Sequence, residues 1–109
     1  MSLSRSDDFI ADVERQFEWY VSEAGWQVAD GYLNAVETTC RLVEKHPQIG
    51  PVGHFSHVRL RHWRFFVLLR PFNRHVVFYE VAGEDVIMRR AMHGRRNLPR
   101  RLLEPPSGA

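Results

Sequence analysis

The sequence is poor in the residues that mark a disulfide scaffold, a metal site or a membrane protein. Its 109 residues include one cysteine, Cys40, which excludes an intrachain disulfide and fits a reducing compartment. No CxxC, HxxxH or HExxH spacing occurs, so no metal or other cofactor is expected. No apolar run approaches the roughly 20 residues of a membrane helix. The N-terminus also lacks the apolar segment of a signal peptide. We therefore expect a cytoplasmic protein that does not contact membranes.

Lysine is almost absent, so the positive charge is carried by arginine and is unevenly distributed. Residues 1–50 hold four Lys/Arg against nine Asp/Glu, whereas residues 51–109 hold eleven Arg against four Asp/Glu. Five of the six histidines also lie in the second half. The planar guanidinium suits bidentate contacts with phosphate or carboxylate. This composition favours an acidic or phosphorylated partner, and a solvated basic surface is the alternative.

The first half of the chain predicts two amphipathic helices. Ser6 or Asp7 can cap a helix that begins near Asp8, and apolar residues follow at helical spacing until Gly25. A second helical pattern surrounds Cys40 and ends at "KHPQIG". The short connection at Gly25 predicts an antiparallel pair. Cys40 is interpreted as an ordinary buried thiol, since cysteine is among the most buried residue types.

Beyond Gly53 the period changes to that of strands. "HVRLRHW" alternates and "RFFVLL" is continuously apolar, while "HVVFYEV" and "VIMRRAMH" are rich in β-branched and apolar residues. "RPFNR" and "AGED" are turns, "SLSRS" could add a short first strand, and residues 100–103 a last helical turn. The predicted order is β-α-α-β-β-β. We expect one two-layer α+β domain over residues 1–109, an antiparallel sheet packed against the helix pair. Its first strand lies within residues 1–6 and its flexible tail is residues 104–109.

Two adjacent arginines interrupt the last predicted strand. Neighbouring residues of a strand point to opposite faces, so Arg89 or Arg90 must share the face of Met88 and Met92. An unpaired buried charge is very costly, so this arginine must find a partner or lie at the open side of the sheet. The strand therefore contains a candidate site. The alternative is an arginine whose stem covers the sheet while its head reaches water.

The local motifs resemble those of the RelE/ParE superfamily, the toxins of bacterial toxin–antitoxin modules. "DDFIADVERQFEWY" resembles the first helix of that family, "YLNAV" part of its second helix and "HPQIG" the turn that follows. "VRLRHW" resembles its second strand, "VVFYEV" its next one, and "RAMHGRRN" its closing motif. Asn97 stands where the family usually has aspartate. The resemblance implies a two-helix, one-sheet toxin held inactive by an antitoxin.

The resemblance leaves two targets open. ParE-type members act on DNA gyrase, whereas RelE-type members cleave messenger RNA in the ribosomal A site without a metal. The ending "NLPRRLLEPPSGA" has no tyrosine or lysine of the kind that many ribonuclease members carry there, so the ParE-like interpretation is preferred. The alternatives are a ribosome-dependent endoribonuclease and an inactive relative that only binds antitoxin.

Each interpretation predicts its own site residues. Metal-free RNA cleavage needs charge stabilisation and acid–base groups. These could come from Arg59, Arg61, Arg90, His93 and Arg96, with His62 as a second histidine. Under the ParE-like interpretation, target binding falls to Arg90, His93, Arg95 and Arg96, and no residue makes or breaks bonds.

Several residues near these motifs are given structural roles instead. We expect Tyr79, Phe65 and Phe66 to pack in the core. The acidic residues Asp7, Asp8 and Asp12 are expected to be solvated and to stabilise the first helix. On this basis Asp12→Ala should lower stability slightly. Arg90→Ala and Arg96→Ala should reduce toxicity without changing the thermal melt.

Overall fold

The computed structural model describes residues 2–94 and 98–106, which form an α+β fold in the predicted order. The chain runs through β1 (Ser2–Arg5), α1 (Asp7–Ala24), α2 (Trp26–Lys45), β2 (Arg64–Val67), β3 (His75–Ala82), β4 (Asp85–His93) and the one-turn helix α3 (Arg100–Leu103). The fold class, with its helix pair and its last helical turn, is as predicted.

The helix boundaries follow from two residues that suit helix ends. The hydroxyl of Ser6 accepts a hydrogen bond from the amide of Phe9 and so caps α1. Gly25 ends α1 and precedes α2 with a φ of 93°, a left-handed value that glycine adopts without steric strain. The sharp reversal there packs α1 against α2.

The sheet has the strand order β1-β4-β3-β2 and is mixed rather than fully antiparallel. β2, β3 and β4 are antiparallel neighbours, as their short connections predict. β1 pairs in parallel with the first half of β4, from Ser2 with Asp85 to Arg5 with Met88. The expectation of an antiparallel sheet therefore holds for β2, β3 and β4 and is wrong for β1. Both helices and two strands separate β1 from β4, so no tight turn forces an antiparallel pairing.

The predicted strand over "HVRLRHW" is also wrong, because the strand begins only at Arg64. Val58–Leu60 form a 3-10 turn. At the start of this turn, Nδ1 of His57 accepts a hydrogen bond from the amide of Arg59. Leu60 is fully buried while Val58 is 70% exposed. The alternation of apolar residues here reflects one buried anchor within a loop, and not the face of a strand.

A bulge in β4 explains why two arginines are adjacent in this strand. Phe78 pairs with Arg90 and Tyr79 with Met88, which leaves Arg89 as an extra residue. A bulge shifts the alternation of side chains by one residue. Met88 therefore packs into the helix-covered core, whereas Met92 packs on the opposite face.

The two faces of the sheet carry two different cores. The helix-covered core contains buried residues of α1, α2 and the sheet, among them Phe9, Tyr32 and Val77. The opposite core is covered by the loop around Leu60 and by the C-terminal segment, which contributes Leu102. Cys40 is buried in the helix-covered core, as expected.

Tyr79 ties the loop after α2 to the sheet. Its ring is fully buried, as predicted, and its hydroxyl accepts the amide of Gly50 at 2.9 Å and donates to the carbonyl of Pro47 at 2.7 Å. A Cβ on Gly50 would overlap the carbonyl oxygen of Phe65 and lie 2.8 Å from the Tyr79 hydroxyl. The "HPQIG" motif therefore supplies a glycine where the loop passes directly over the sheet.

Candidate functional site

A groove of about 730 Å³ lies between α1 and the C-terminal segment. Its first wall is the face of α1 that carries Arg15, Trp19 and Ser22. Its floor is the end of β4 from Arg90 to His93. Residues of the C-terminal segment, among them Arg101, form the other wall. We refer to this cavity as the β4 groove.

The floor of the β4 groove exists because β1 is short. β1 pairs with β4 only as far as Met88, after which the chain leaves the sheet edge at Ser6 to begin α1. The rest of β4 has no neighbouring strand on that side within the described residues. Side chains bind part of this edge instead. The hydroxyl of Ser6 donates a hydrogen bond to the carbonyl of Arg89, and the carboxylate of Asp12 accepts one from the amide of Ala91.

Arg90 and Asp12 form a buried ion pair at the base of the groove. Arg90 is 4% exposed and Asp12 is 9% exposed. Two guanidinium nitrogens of Arg90 donate to the carboxylate of Asp12, at 2.7 and 3.0 Å. Its third nitrogen donates to the main-chain carbonyls of Arg101, Leu102 and Glu104. Arg90 therefore joins α1, β4 and the end of α3.

These contacts correct two predictions made from the sequence. Asp12 is a buried partner of Arg90, and not a solvated residue of the first helix. Arg90 satisfies the requirement that a buried charge be paired, and its donors are directed into the protein. A direct contact between Arg90 and a target does not fit this burial. Arg90→Ala should also lower the melting temperature, contrary to the sequence-based expectation, because the change would leave Asp12 buried and unpaired.

The neighbouring arginine is paired as well. Arg89 donates to the carboxylate of Glu80 on the adjacent strand β3. The side chain of Arg89 is about one third exposed, so the pair lies at the surface of the sheet. The "RR" of β4 therefore consists of one buried and one surface ion pair.

His93 reaches the groove at the end of β4 and contacts a second histidine. The rings of His93 and His75 lie 4.7 Å apart between centroids, in an edge-to-face arrangement. The hydroxyl of Tyr20 forms a 2.8 Å hydrogen bond with Nε2 of His75. Burial, with a smaller contribution from His93, lowers the pKa of His75 to about 4. His75 is therefore neutral near pH 7. Within residues 2–94 and 98–106, no cluster of three His, Cys, Asp or Glu side chains could hold a metal ion.

The other predicted site residues are dispersed or outside the described chain. Arg59, Arg61 and His62 are exposed on and after the 3-10 turn, and none of them lines the β4 groove with His93. Arg95, Arg96 and Asn97 fall outside the described residues. Phe65 and Phe66 are half-buried and pack against the opposite core and the helix-covered core, respectively.

Sequence reasoning missed the α1 wall of the groove. Arg15 and Trp19 are four residues apart, one helical turn, and both are exposed. A large aromatic residue on the polar face of an amphipathic helix was the available signal, because Trp19 lies outside the apolar stripe. Trp19 is 55% exposed and packs edge-to-face against Tyr20.

Comparison with known proteins agrees with this fold. The model of the family described as "ParE toxin of type II toxin-antitoxin system, parDE" matches residues 3–98. A solved chain of the "Chromosomal ParDE TA system from P. aeruginosa" superposes with a TM-score of 0.71 at 17% identity. The match covers 87% of this chain and 97% of that one. None of the curated proteins matches the sequence.

The family model spans both helices and all four strands, and the solved ParDE chain has the same fold. The resemblance found in the sequence motifs is therefore confirmed. In the described part of the chain, none of the helices has the length and hydropathy of a membrane span. The chain belongs to the ParE toxin family of type II toxin–antitoxin systems.

Proposed function

We propose that this toxin acts by binding DNA gyrase and is neutralised by a cognate antitoxin. The observation that carries the proposal is the role of Arg90. This arginine lies at the centre of the motif that could have served RNA cleavage, yet its guanidinium is used to hold Asp12 and the C-terminal segment. A group engaged in this way cannot also neutralise a scissile phosphate without releasing its buried partner.

The positions of the remaining candidates also favour a binding function. Arg59 and Arg61 lie on and after the exposed 3-10 turn, whereas His93 lies at the end of β4. Metal-free RNA cleavage requires an acid or base within hydrogen-bond reach of the reacting atoms and cations around the same phosphate. Binding makes no such demand. It requires only an accessible surface with complementary charge.

The target contacts in this proposal are His93, Arg95 and Arg96, without Arg90. His93 lines the β4 groove, and the two arginines follow Gly94 in the sequence. A charge-assisted hydrogen bond contributes roughly 1.5–3 kcal/mol, so losing one should weaken binding about tenfold or more. Arg95→Ala and Arg96→Ala should therefore reduce growth arrest. Arg74→Ala, an exposed residue of the β2–β3 turn, is the control.

Induced expression in cells tests the mechanism. We expect trapped gyrase–DNA cleavage complexes, with messenger RNA free of toxin-dependent cuts when it is mapped by primer extension. Codon-linked cuts in translated messages would instead assign the chain to the ribosome-dependent endoribonucleases. Normal growth with full soluble expression would identify an inactive relative that retains only antitoxin binding.

A further inference from the structure

The loop between α2 and β2 presents basic side chains without any neighbouring acid in the sequence. Residues 45–79 contain six Lys or Arg and no Asp or Glu. Within this stretch, residues 53–63, which we call the basic loop, expose two arginines and three histidines: His54, His57, Arg59, Arg61 and His62. None of these five residues forms an ion pair within the described chain. Their positive charge is therefore available to an external anion.

The basic loop is held in one shape by contacts beneath its charged residues. The amide of Gly53 donates to the carbonyl of Trp63 at 2.9 Å, which closes the loop at its base. Leu60 is fully buried in the opposite core, and the rings of Phe55 and Phe78 pack at 6.1 Å between centroids. An anion that binds here meets a preformed surface, so little conformational entropy is lost on binding.

This anchoring also fixes the groups that could contact an anion. Arg59 and Arg61 flank Leu60 in the sequence, so one buried residue holds two exposed neighbours at the surface. Nδ1 of His57 accepts a hydrogen bond from the amide of Arg59, so the proton of the neutral ring is on Nε2, where it can be donated. His54 has a left-handed φ of 56°, which is uncommon for residues other than glycine and recurs at ligand-binding segments. The loop thus combines two guanidinium groups and a donor imidazole on a constrained main chain.

The side chains of the basic loop favour the phosphates of a duplex over a protein surface or a single strand. Guanidinium groups donate two parallel hydrogen bonds to phosphate. Energetic centres of protein interfaces use large anchors, whereas the exposed apolar residue of this loop is Val58, a type that is under-represented there. Single strands are held by stacking on aromatic rings, and Phe55 and Trp63 pack against the opposite core instead. A duplex asks only for donors to its outward-facing phosphates.

We propose that the basic loop binds the phosphate backbone of duplex DNA, independently of base sequence. Arg59 and Arg61 each neutralise one phosphate, and His57 donates to a phosphate oxygen. Duplex DNA carries about one negative charge per 1.7 Å of helix axis, so two arginines separated by one residue can reach neighbouring phosphates. None of the residues that line the β4 groove belongs to this loop. The inference goes beyond the proposed function, to which it adds a second contact with the DNA on which gyrase acts.

Titration of a fluorescently labelled duplex of mixed sequence with the full chain, followed by anisotropy over roughly 50–200 mM salt, tests the proposal. We expect a Kd in the range of about 10⁻⁴–10⁻⁶ M at physiological salt. The double variant Arg59→Ala, Arg61→Ala should weaken binding about tenfold or more. It should also lower the slope of log K against log salt by about 1.8, because each phosphate contact contributes about 0.9.

Two further double variants serve as controls. Arg15→Ala, Arg41→Ala removes the same charge from exposed positions of the two helices and should leave the slope unchanged. Arg59→Lys, Arg61→Lys keeps both charges of the loop and should retain the slope. Thermal melts of all variants should coincide with that of the wild type, because the substituted side chains are exposed.

Three results would overturn the proposal: no binding of the wild type at the lowest salt, equal slopes for the alanine variants of the loop and of the helices, or tighter binding of the single strand than of the duplex. Inhibition of gyrase supercoiling, measured in parallel, separates this inference from the proposed function. A toxin that inhibits gyrase without binding DNA would overturn the inference alone. A toxin that binds DNA through the loop and leaves gyrase active would overturn the proposed function alone.

Discussion

The two faces of the sheet are stabilised in different ways. One face is covered by 38 residues of regular helix in α1 and α2, with an apolar core beneath. The other is covered by a loop with a 3-10 turn and by a helix of four residues. Short helices have little stability of their own. This second cover combines a smaller apolar core with individual polar contacts, above all those of Arg90.

The difference explains why charge is placed inside the protein. Apolar packing is non-directional, so it can hold two long helices without specifying each main-chain group. A one-turn helix cannot satisfy its own terminal carbonyls. Arg90 donates to three of them and is itself held by Asp12. Arg90 therefore links α1, on the helix-covered side, to the C-terminal segment that covers the opposite face.

The largest expected effect comes from breaking the buried pair. Asp12→Ala leaves the guanidinium of Arg90 without its counter-charge at 4% exposure and should cost about 3–5 kcal/mol of unfolding free energy. Urea denaturation measures the loss. Asp8→Ala, in the exposed first turn of the same helix, should cost less than about 1 kcal/mol. Equal effects in the two variants would mean that the pair contributes nothing specific.

The second prediction concerns the loop that Tyr79 anchors. Gly50→Ala should destabilise the protein by roughly 1–3 kcal/mol, because its Cβ would overlap the Phe65 carbonyl and crowd the Tyr79 hydroxyl. Gly31→Ala is the matched control. It lies within α2, where the new Cβ would meet Phe72 at 3.4 Å, and it should raise stability by roughly 0.5–1 kcal/mol. A stable Gly50→Ala protein would show that the loop can move away from the sheet.

The third prediction uses pH to probe the helix-covered side. The folded-state pKa of His75 is about 4, below its usual 6.5. As the pH falls, the unfolded chain therefore protonates this histidine before the folded protein does. The unfolding free energy therefore keeps its full value, as far as His75 is concerned, above about pH 6.5, and it decreases as the pH falls toward 4. The slope approaches at most about 1.4 kcal/mol per pH unit. Unfolding of His75→Phe should show a shallower pH dependence than wild type. Parallel curves for wild type and His75→Phe would contradict this assignment.

The smallest expected effect is at the start of α1. Ser6 caps the helix through Phe9 and donates to the Arg89 carbonyl at the edge of β4. Ser6→Ala should cost about 1 kcal/mol, measured by thermal melting. Ser4→Ala, at an exposed position of β1, is the control and should remain within about 0.5 kcal/mol. A loss above about 3 kcal/mol would indicate that Ser6 stabilises more than the start of α1 and its contact with β4.

Sequence patterns predicted the helix-covered side well and the thinner cover poorly. Regular helices leave a periodic apolar signal, and Ser6 and Gly25 mark their ends by known capping preferences. The cover around Leu60 is irregular, so its chance alternation was interpreted as a strand. The bulge at Arg89 places Arg90 on the other face of the sheet, and no local pattern indicates that its partner is Asp12, 78 residues away. Long-range ion pairs of this kind leave no local pattern.

The proposed function is that this ParE-family toxin binds gyrase and is controlled by an antitoxin. The most direct test is DNA supercoiling by purified gyrase in the presence of the purified toxin, with and without the antitoxin. We expect the toxin to block supercoiling and the antitoxin to restore it at equimolar concentration. Full supercoiling activity at a saturating concentration of folded toxin would contradict the claim.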